Sequence, residues 1–290
     1  MKATGATLAM LLDRGELHPS GSPGIYVQGA RFMQLVAAID AVIMEAEPPG
    51  AFEDFATPPQ MPGATATAHK YDMHFPELLA GVAPQTACGC GGKGHADPGE
   101  AMVLVPAVCH LLYPLLGRRA AKGRGVVGLY AMKGSVFRAE PSQQSKRWQS
   151  FSVREWVCVG HEERVETFAE AWRSRWTGLC DRFGLDGQID AASDPFTGPT
   201  ARIMRSRQRQ TGEKLELNCP LDGLDCAISS INRHGPHFSD VWDLRAPDGR
   251  RAMSACVAFG LERTALAMID RHGLESALTL AERDLEGAAR

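Results

Sequence analysis

Arg138, Glu140, Arg147 and Phe151 are the residues of this chain whose types and spacing are best suited to chemistry. Phe137-Arg138-Ala139-Glu140 reads as a strand, and Phe151-Ser152-Val153-Arg154-Glu155 reads as a strand returning from a polar loop that carries Arg147. Strand side chains alternate, so Arg138 shares a face with Glu140, and Phe151 shares one with Glu155. A guanidinium fork suits phosphate oxygens, and an aromatic ring offers a platform for a base. With an acid beside the arginine, the set describes a nucleotide site. The ordinary alternative is a surface hairpin carrying a salt bridge.

A second polar face lies in Lys214-Leu215-Glu216-Leu217-Asn218. As a strand it turns Leu215 and Leu217 one way, Glu216 and Asn218 the other. A carboxylate and an amide on one face are hard oxygen ligands of the kind Mg²⁺ takes while it orients phosphates. Taken alone, the same pattern is an amphipathic strand with its polar face in water.

The eight cysteines contain no Cys-x-x-Cys pair and no regular spacing, so they do not form a disulfide framework. Cys88, Cys90 and His95 lie in a glycine-rich stretch, residues 88–99, that reads as a loop rather than a metal site. Cys109, Glu155 and Cys256 are dispersed, and spacing alone does not select them. Glu155 lies on the Phe151 face of its strand, whereas Cys158 points the other way.

These residues must be positioned by a mixed set of elements. Residues 32–46 carry Phe32, Leu35, Val36, Ile39 and Ile43 on a helical stripe, stopped by Pro48, Pro49 and Gly50. Residues 20–24 form a turn, and 56–68 read as a loop rich in Pro, Ala and Thr. Strands are expected over 125–130, 135–140 and 151–159, then a helix over 162–183 with Val165, Phe168, Trp172, Trp176, Leu179 and Phe183 inward. Further strands are expected over 201–209, 214–218, 225–231, 238–244 and 254–259, and a helix over 262–271. Strands linked by short turns predict an α+β fold: a largely antiparallel sheet flanked by helices.

At 290 residues the chain can bury a large core, and 44% hydrophobic with 22% charged residues is ordinary for a globular protein. A net charge of −3 does not mark a dedicated nucleic-acid binder. Two basic clusters stand out, Arg118, Arg119, Lys122 and Arg124, and Arg202, Arg205, Arg207 and Arg209; each reads first as a solvated surface. No stretch has the ~20 apolar residues of a membrane span. The first twenty residues show no secretory pattern, so a reducing cytoplasm is expected.

The spacing Phe-Arg-x-Glu followed by Arg-x-x-x-Phe resembles motif 2 of the class II aminoacyl-tRNA synthetases. Ala258-Phe259-Gly260-Leu261-Glu262-Arg263 resembles motif 3, in which Arg263 would reach the outer phosphates of ATP. The likeness extends through Gly24-Ile25-Tyr26, Phe75-Pro76-Glu77-Leu78, Pro106-Ala107-Val108-Cys109, Asp194-Pro195-Phe196 and Ala255-Cys256-Val257. The chain thus resembles the amino acid:[carrier protein] ligases, which are similar to the catalytic core of atypical, zinc-dependent seryl-tRNA synthetases without their tRNA-binding domain.

That resemblance implies one class II synthetase-like catalytic domain over 1–290. It implies one catalytic zinc ion per chain on Cys109, Glu155 and Cys256, which would hold the substrate α-amino group. ATP, with Mg²⁺, would be bound by Arg138, Glu140, Arg147, Phe151, Glu216 and Arg263. Arg138 and Arg263 would be catalytic, and Glu216 and Asn218 would face the substrate. The implied partners are a small amino acid, a phosphopantetheinylated carrier protein and a second copy of the chain in a homodimer; tRNA is not expected. The glycine- and cysteine-rich stretch 88–99 departs from the pattern. Transfer to tRNA or to a small amine, and a nonenzymatic synthetase-like binding protein, remain the other readings.

Overall fold

The computed structural model describes residues 5–83, 101–140, 142 and 144–288. The chain starts with helix α1 (Ala6–Asp13), a ribbon of β1 (Leu17–Pro19) and β2 (Tyr26–Gln28), helix α2 (Ala30–Glu45) and strand β3 (Phe52–Ala56). A small sheet follows, made of β4 (Gln60–Pro62), β5 (Gly81–Val82) and β6 (Met102–Leu104) with β6 central; helices α3 (Gly63–Ala68) and α4 (Tyr71–His74) lie between its strands. A 3₁₀ turn, Val108–Leu111, leads into α5 (Leu112–Ala120), then β7 (Gly128–Phe137), β8 (Ser150–Gly160) and α6 (Glu162–Phe183). The remaining elements are β9 (Gln188–Ala191), α7 (Ala201–Thr211), β10 (Lys214–Leu221), β11 (Leu224–Gly235), α8 (His237–Trp242), β12 (Met253–Gly260), α9 (Leu261–His272) and α10 (Leu274–Ala288).

Seven strands form the central sheet in the order β3-β7-β8-β12-β11-β10-β9. All neighbours are antiparallel except β3, which runs parallel to β7. Register decides which side chains share a face. Glu155 faces Ala258, Cys256 faces Val157 and Asn232, Ser230 faces Ala258 and Glu216, and Lys214 faces Asn232. Cross-strand partners point the same way, as do residues two apart. Phe151, Glu155, Cys256, Asn232, Glu216 and Lys214 therefore rise from one face of the sheet.

The other face is covered by helices. The apolar stripe of α6 buries Trp172 and Trp176 completely. The Trp172 ring lies 4.3 Å from that of Trp156 and 5.7 Å from that of Phe259. The Trp176 indole N–H donates to Ser229 Oγ at 3.0 Å, so this buried donor is satisfied. Gly184, at φ 61°, ends α6 in the left-handed region that a side chain disfavours. The polar residues stand on the opposite face.

The α+β expectation holds, as do the helices over 32–46, 162–183 and 262–271 to within a residue or two. Several local expectations are corrected. The two strands expected over 125–130 and 135–140 are one strand, β7, which ends at Phe137, so Arg138 and Glu140 stand just beyond it. Residues 201–209 form helix α7, because Arg205, Arg207 and Arg209 imitate a period of two on a surface where no apolar alternation supports a strand. Residues 238–244 hold helix α8, whose Phe238 and Trp242 are one helical turn apart. Residues 56–68, expected to be loop, contain β4 and α3. Residues 88–99 lie outside the described residues.

Candidate active site

The β7–β8 hairpin brings the nucleotide-type residues together. The Arg138 N–H donates to Gln149 O at 2.8 Å, adding a rung beyond the strand end, and the Glu140 N–H folds back to Arg138 O at 2.7 Å. The guanidinium carbons of Arg138 and Arg263 lie 5.4 and 5.1 Å from the centre of the Phe151 ring. Arg263 reaches it from the first turn of α9. Its Nη1 meets Ala227 O at 3.5 Å, and its Nε is buried with no hydrogen-bond partner. Burial, and then the neighbouring Arg138 charge, lower the Arg263 pKa. Among the described residues neither arginine is paired with a carboxylate, so this positive charge is open to an anion. Glu140 is ion-paired with Arg147, which lies half exposed at the rim.

Glu262 ties the two halves of this arrangement. Its Oε2 accepts the Ser152 N–H at 2.8 Å and its Oε1 accepts from Gln28 Nε2 at 3.0 Å. Burial pushes its pKa up.

Cys109, Glu155 and Cys256 converge. One ligating atom from each lies within 4.8 Å of the others, and all three residues are buried. The three come from the 3₁₀ turn Val108–Leu111, β8 and β12, and the Cys109 N–H donates to Glu155 Oε2 at 3.2 Å. The hydrogen bond to Cys256 and burial push the Cys109 thiol well up. Burial pushes up Glu155. At Cys256 the hydrogen bond with Cys109 works downward, but burial and the nearby Glu155 raise the thiol. Two buried sulfurs and a buried acid so close together favour their protonated forms, and the nearby Arg138 charge only partly opposes this at Glu155. A divalent ion reverses that preference and could be held by all three.

Further along the face, Lys214 Nζ lies 2.5 Å from Asp194 Oδ1 and 3.3 Å from Glu216 Oε1. Burial works against the Asp194 carboxylate, yet Lys214 and Gln208 hold its pKa below the ordinary value. Glu216 and Asn218 share a face as expected, and Asn218 Nδ2 donates to Asp190 Oδ2 at 3.0 Å. Both are thus engaged with neighbours rather than bare.

Sequence reasoning passed over the wall of the metal-type cluster. The Trp242 N–H donates to His69 Nε2 at 2.7 Å, and His69 Nδ1 meets His110 Nδ1 at 2.7 Å. His69 must then carry its proton on Nδ1 and donate it to His110. Burial lowers His69 to a pKa of about 4, which suits the neutral ring this chain requires. Tyr71 stands edge-on to His110, their centres 5.0 Å apart, and burial raises its phenol. On β11, Asn232 and His234 reach Cys256. Their sequence signal was the polar alternation Ser230, Asn232, His234 within a strand.

Comparison with known proteins gives the relationship. The chain is 35% identical to amino acid–[acyl-carrier-protein] ligase 2 of Bradyrhizobium diazoefficiens, covering 94% of this chain and 86% of that protein. The chain belongs to the amino acid–[acyl-carrier-protein] ligases. Ligase 1 of the same organism is 34% identical over 93% of this chain and 87% of its own length. The type-2 serine–tRNA ligase of Methanopyrus kandleri is 24% identical over 62% of this chain, which spans 36% of that protein. Among solved structures, M. kandleri seryl-tRNA synthetase, crystallised with A. aeolicus tRNASec, aligns with a TM-score of 0.76 at 16% identity, covering 99% of this chain and 62% of that one. Giardia lamblia prolyl-tRNA synthetase, solved with prolyl-adenylate, aligns with a TM-score of 0.71 at 13% identity, over 92% of this chain and 52% of its own. These likenesses establish the class II synthetase fold. No family model matches the chain. The protein is therefore a ligase, and the nonenzymatic reading falls. Among its described residues no helix is long and apolar enough to cross a membrane.

Proposed function

We propose that this ligase activates a small amino acid with ATP as an aminoacyl-adenylate and passes it to the phosphopantetheine thiol of a carrier protein. The observation that carries this reading is the convergence of Cys109, Glu155 and Cys256 on the sheet face that also bears Phe151, Arg138 and Arg263. One half of that face suits an amine at a metal, the other a nucleotide.

The donor set fits zinc. Tetrahedral zinc with Zn–S bonds of about 2.3 Å sets two sulfurs about 3.8 Å apart, within the spread of the three side chains. Three protein ligands leave a fourth position open. When bound, zinc supplies a Lewis-acid position that takes an α-amino group only in its neutral form.

The remaining work falls to the chain's own residues and is mainly positioning, because a carboxylate is already nucleophilic at neutral pH. Phe151 offers its ring to adenine, with Arg147 and Glu140 at the rim of the nucleotide. Arg138 meets the α-phosphate, and Arg263 meets the outer phosphates. Glu216 and Asn218 would help to hold Mg²⁺ and would face the substrate. A substrate carboxylate oxygen attacks the α-phosphorus, the bond to the bridging oxygen breaks, and pyrophosphate leaves. Arg138 stabilises the charge that gathers on the phosphoryl oxygens. The pantetheine sulfur, having given up its proton to water, then attacks the carbonyl carbon, and AMP departs with the electron pair.

Of the two basic clusters, α7 is the better placed to receive an acidic carrier. Its Gln208 is bonded to Asp194, and Arg205 Nη1 donates to Phe196 O at 2.5 Å, which seats the helix beside the Lys214 end of the site. Arg202, Arg207 and Arg209 face solvent, and Ile203 is 71% exposed. A cytoplasmic homodimer, built as one catalytic domain over 1–290, belongs to the same reading.

Amino-acid-dependent ATP–pyrophosphate exchange, run across the twenty amino acids with zinc-loaded protein, tests activation. Mass spectrometry of a pantetheinylated carrier protein, against tRNA and small amines as acceptors, tests transfer. Exchange with none of the twenty would overturn the first half of the proposal. Loading of tRNA or amine but not of carrier would overturn the second.

A further inference from the structure

The two sulfurs of the metal-type cluster are not equivalent. Cys256 Sγ has two nitrogen neighbours on the same sheet face: His234 Nε2 at 3.5 Å and Asn232 Nδ2 at 3.7 Å. Among the described residues no nitrogen donor approaches Cys109 Sγ. The Asn232 amide carries two hydrogens, and the second is used by Ser230 Oγ at 3.2 Å. The amide is therefore oriented with its nitrogen toward the sulfur.

The other nitrogen of His234 fixes what the ring can do. His234 Nδ1 lies 3.1 Å from Tyr113 Oη and 3.1 Å from Ser254 Oγ, and the two hydroxyls are 3.4 Å apart. A hydroxyl can donate to Nδ1, which leaves the ring proton on Nε2, facing Cys256. A metal-bound thiolate has no hydrogen of its own and only accepts, so this is the tautomer that matches a loaded site. His234 stands at the end of β11, where the strand pairing with β12 shifts between Arg233 and Gly235, and Phe238 packs edge-on against it at 4.9 Å. The ring is held from both sides.

The geometry points to His234 and Asn232 as positioning residues that donate two N–H···S bonds to the Cys256 thiolate and draw charge off that one sulfur. Two unrelieved thiolates and a carboxylate give the metal so much negative charge that its appetite for a further ligand falls. Hydrogen bonds to one sulfur restore it, while Cys109 remains the full donor. Outer-shell partners of this kind hold ligand orientation and tune the metal. The inference rests on the metal reading proposed above.

Cobalt(II) substitution reads it directly, because the sulfur-to-cobalt charge-transfer band reports the energy of the sulfur lone pairs. The wild-type protein, loaded with cobalt, sets the reference. In His234→Phe, which keeps the ring and removes the donor, the band is expected to move to longer wavelength. Metal affinity, measured by competition with a chromophoric chelator, should fall about ten- to a hundred-fold. His234→Gln, which can place an amide N–H near Nε2, should move both readouts back toward wild type. Asn232→Leu should shift the band in the same direction with less disturbance, and it decides the matter where His234→Phe does not fold. An unmoved band in the folded variants at full cobalt occupancy would overturn this inference and leave the metal site standing. A wild-type chain that takes up neither cobalt nor zinc would overturn the metal reading and this inference with it.

Discussion

Arg138 and Arg263 converge on one aromatic ring, that of Phe151, from a hairpin and from a helix more than a hundred residues later. Like charges so placed repel, and among the described residues neither guanidinium is ion-paired with a carboxylate, although Glu140 lies near enough to act on Arg263. The arrangement becomes favourable when a polyanion enters. Truncation of either arginine to alanine should lower amino-acid-dependent exchange by about 10²–10³-fold, as removal of a transition-state charge partner does. In the double variant the losses should not simply add, since both act on one ligand. Exchange kinetics of the two single variants and the double variant check this, and wild-type rates in Arg138→Ala would refute it.

Cys109→Ser and Cys256→Ser should each lose bound zinc as well as exchange. Elemental analysis of dialysed protein measures the first, independent of catalysis. Because the metal would cross-link three separated segments, chelation should also lower the thermal midpoint of the wild type and leave that of the serine variants unmoved. Full zinc occupancy in either variant would defeat the ligand assignment.

Asp40 on α2 accepts Arg154 Nε and Nη2, each at 2.7 Å, and Lys133 Nζ at 2.8 Å. Burial pushes its carboxyl upward, but these hydrogen bonds prevail and hold the pKa below the ordinary 3.8. A carboxyl depressed by folding stabilises the native state above its unfolded value. That contribution fades as acid carries the pH down through the lower folded value. Asp40→Asn should be destabilised by about 3 kcal/mol near neutrality, the cost of stranding a largely buried arginine. The difference should close as the pH falls below about 4. Urea midpoints across that range test it; a gap independent of pH would place the effect in packing.

Charge reversal on the open side of α7, Arg202→Glu with Arg209→Glu, should slow carrier loading by about ten-fold or more at low salt, with the deficit shrinking as salt rises. Any fall in exchange, which needs no carrier, should be much smaller. Equal losses in both half-reactions would move the docking face elsewhere.

How far the sequence disclosed all this depended on local pattern. The β7–β8 hairpin was legible because Arg138, Arg147 and Phe151 flank and occupy one polar loop between two strand-like runs, and α6 because its tryptophans recur at helical spacing. α7 was misread because its regularly spaced arginines imitate a period of two, and its few apolar residues, Ala201, Ile203 and Met204, mark out no buried helical stripe. Cys109, Glu155 and Cys256 could not be found by spacing, since only the register of β8 against β12 and the turn before α5 bring them together. They were found by resemblance. The alternation Ser230, Asn232, His234 was the only local sign of His234, and it gained meaning only from the pairing of β11 with β12.

Glu262 gives the fold a property that no single ligand contact supplies. By gripping the amide next to Phe151 while preceding Arg263 in the chain, it makes the ring and the guanidinium parts of one rigid unit. On the proposed reading, a nucleotide arriving there would find its berth already assembled and need organise only the phosphate end. Most of the entropy cost of ordering that half would then fall in folding, before any substrate is met.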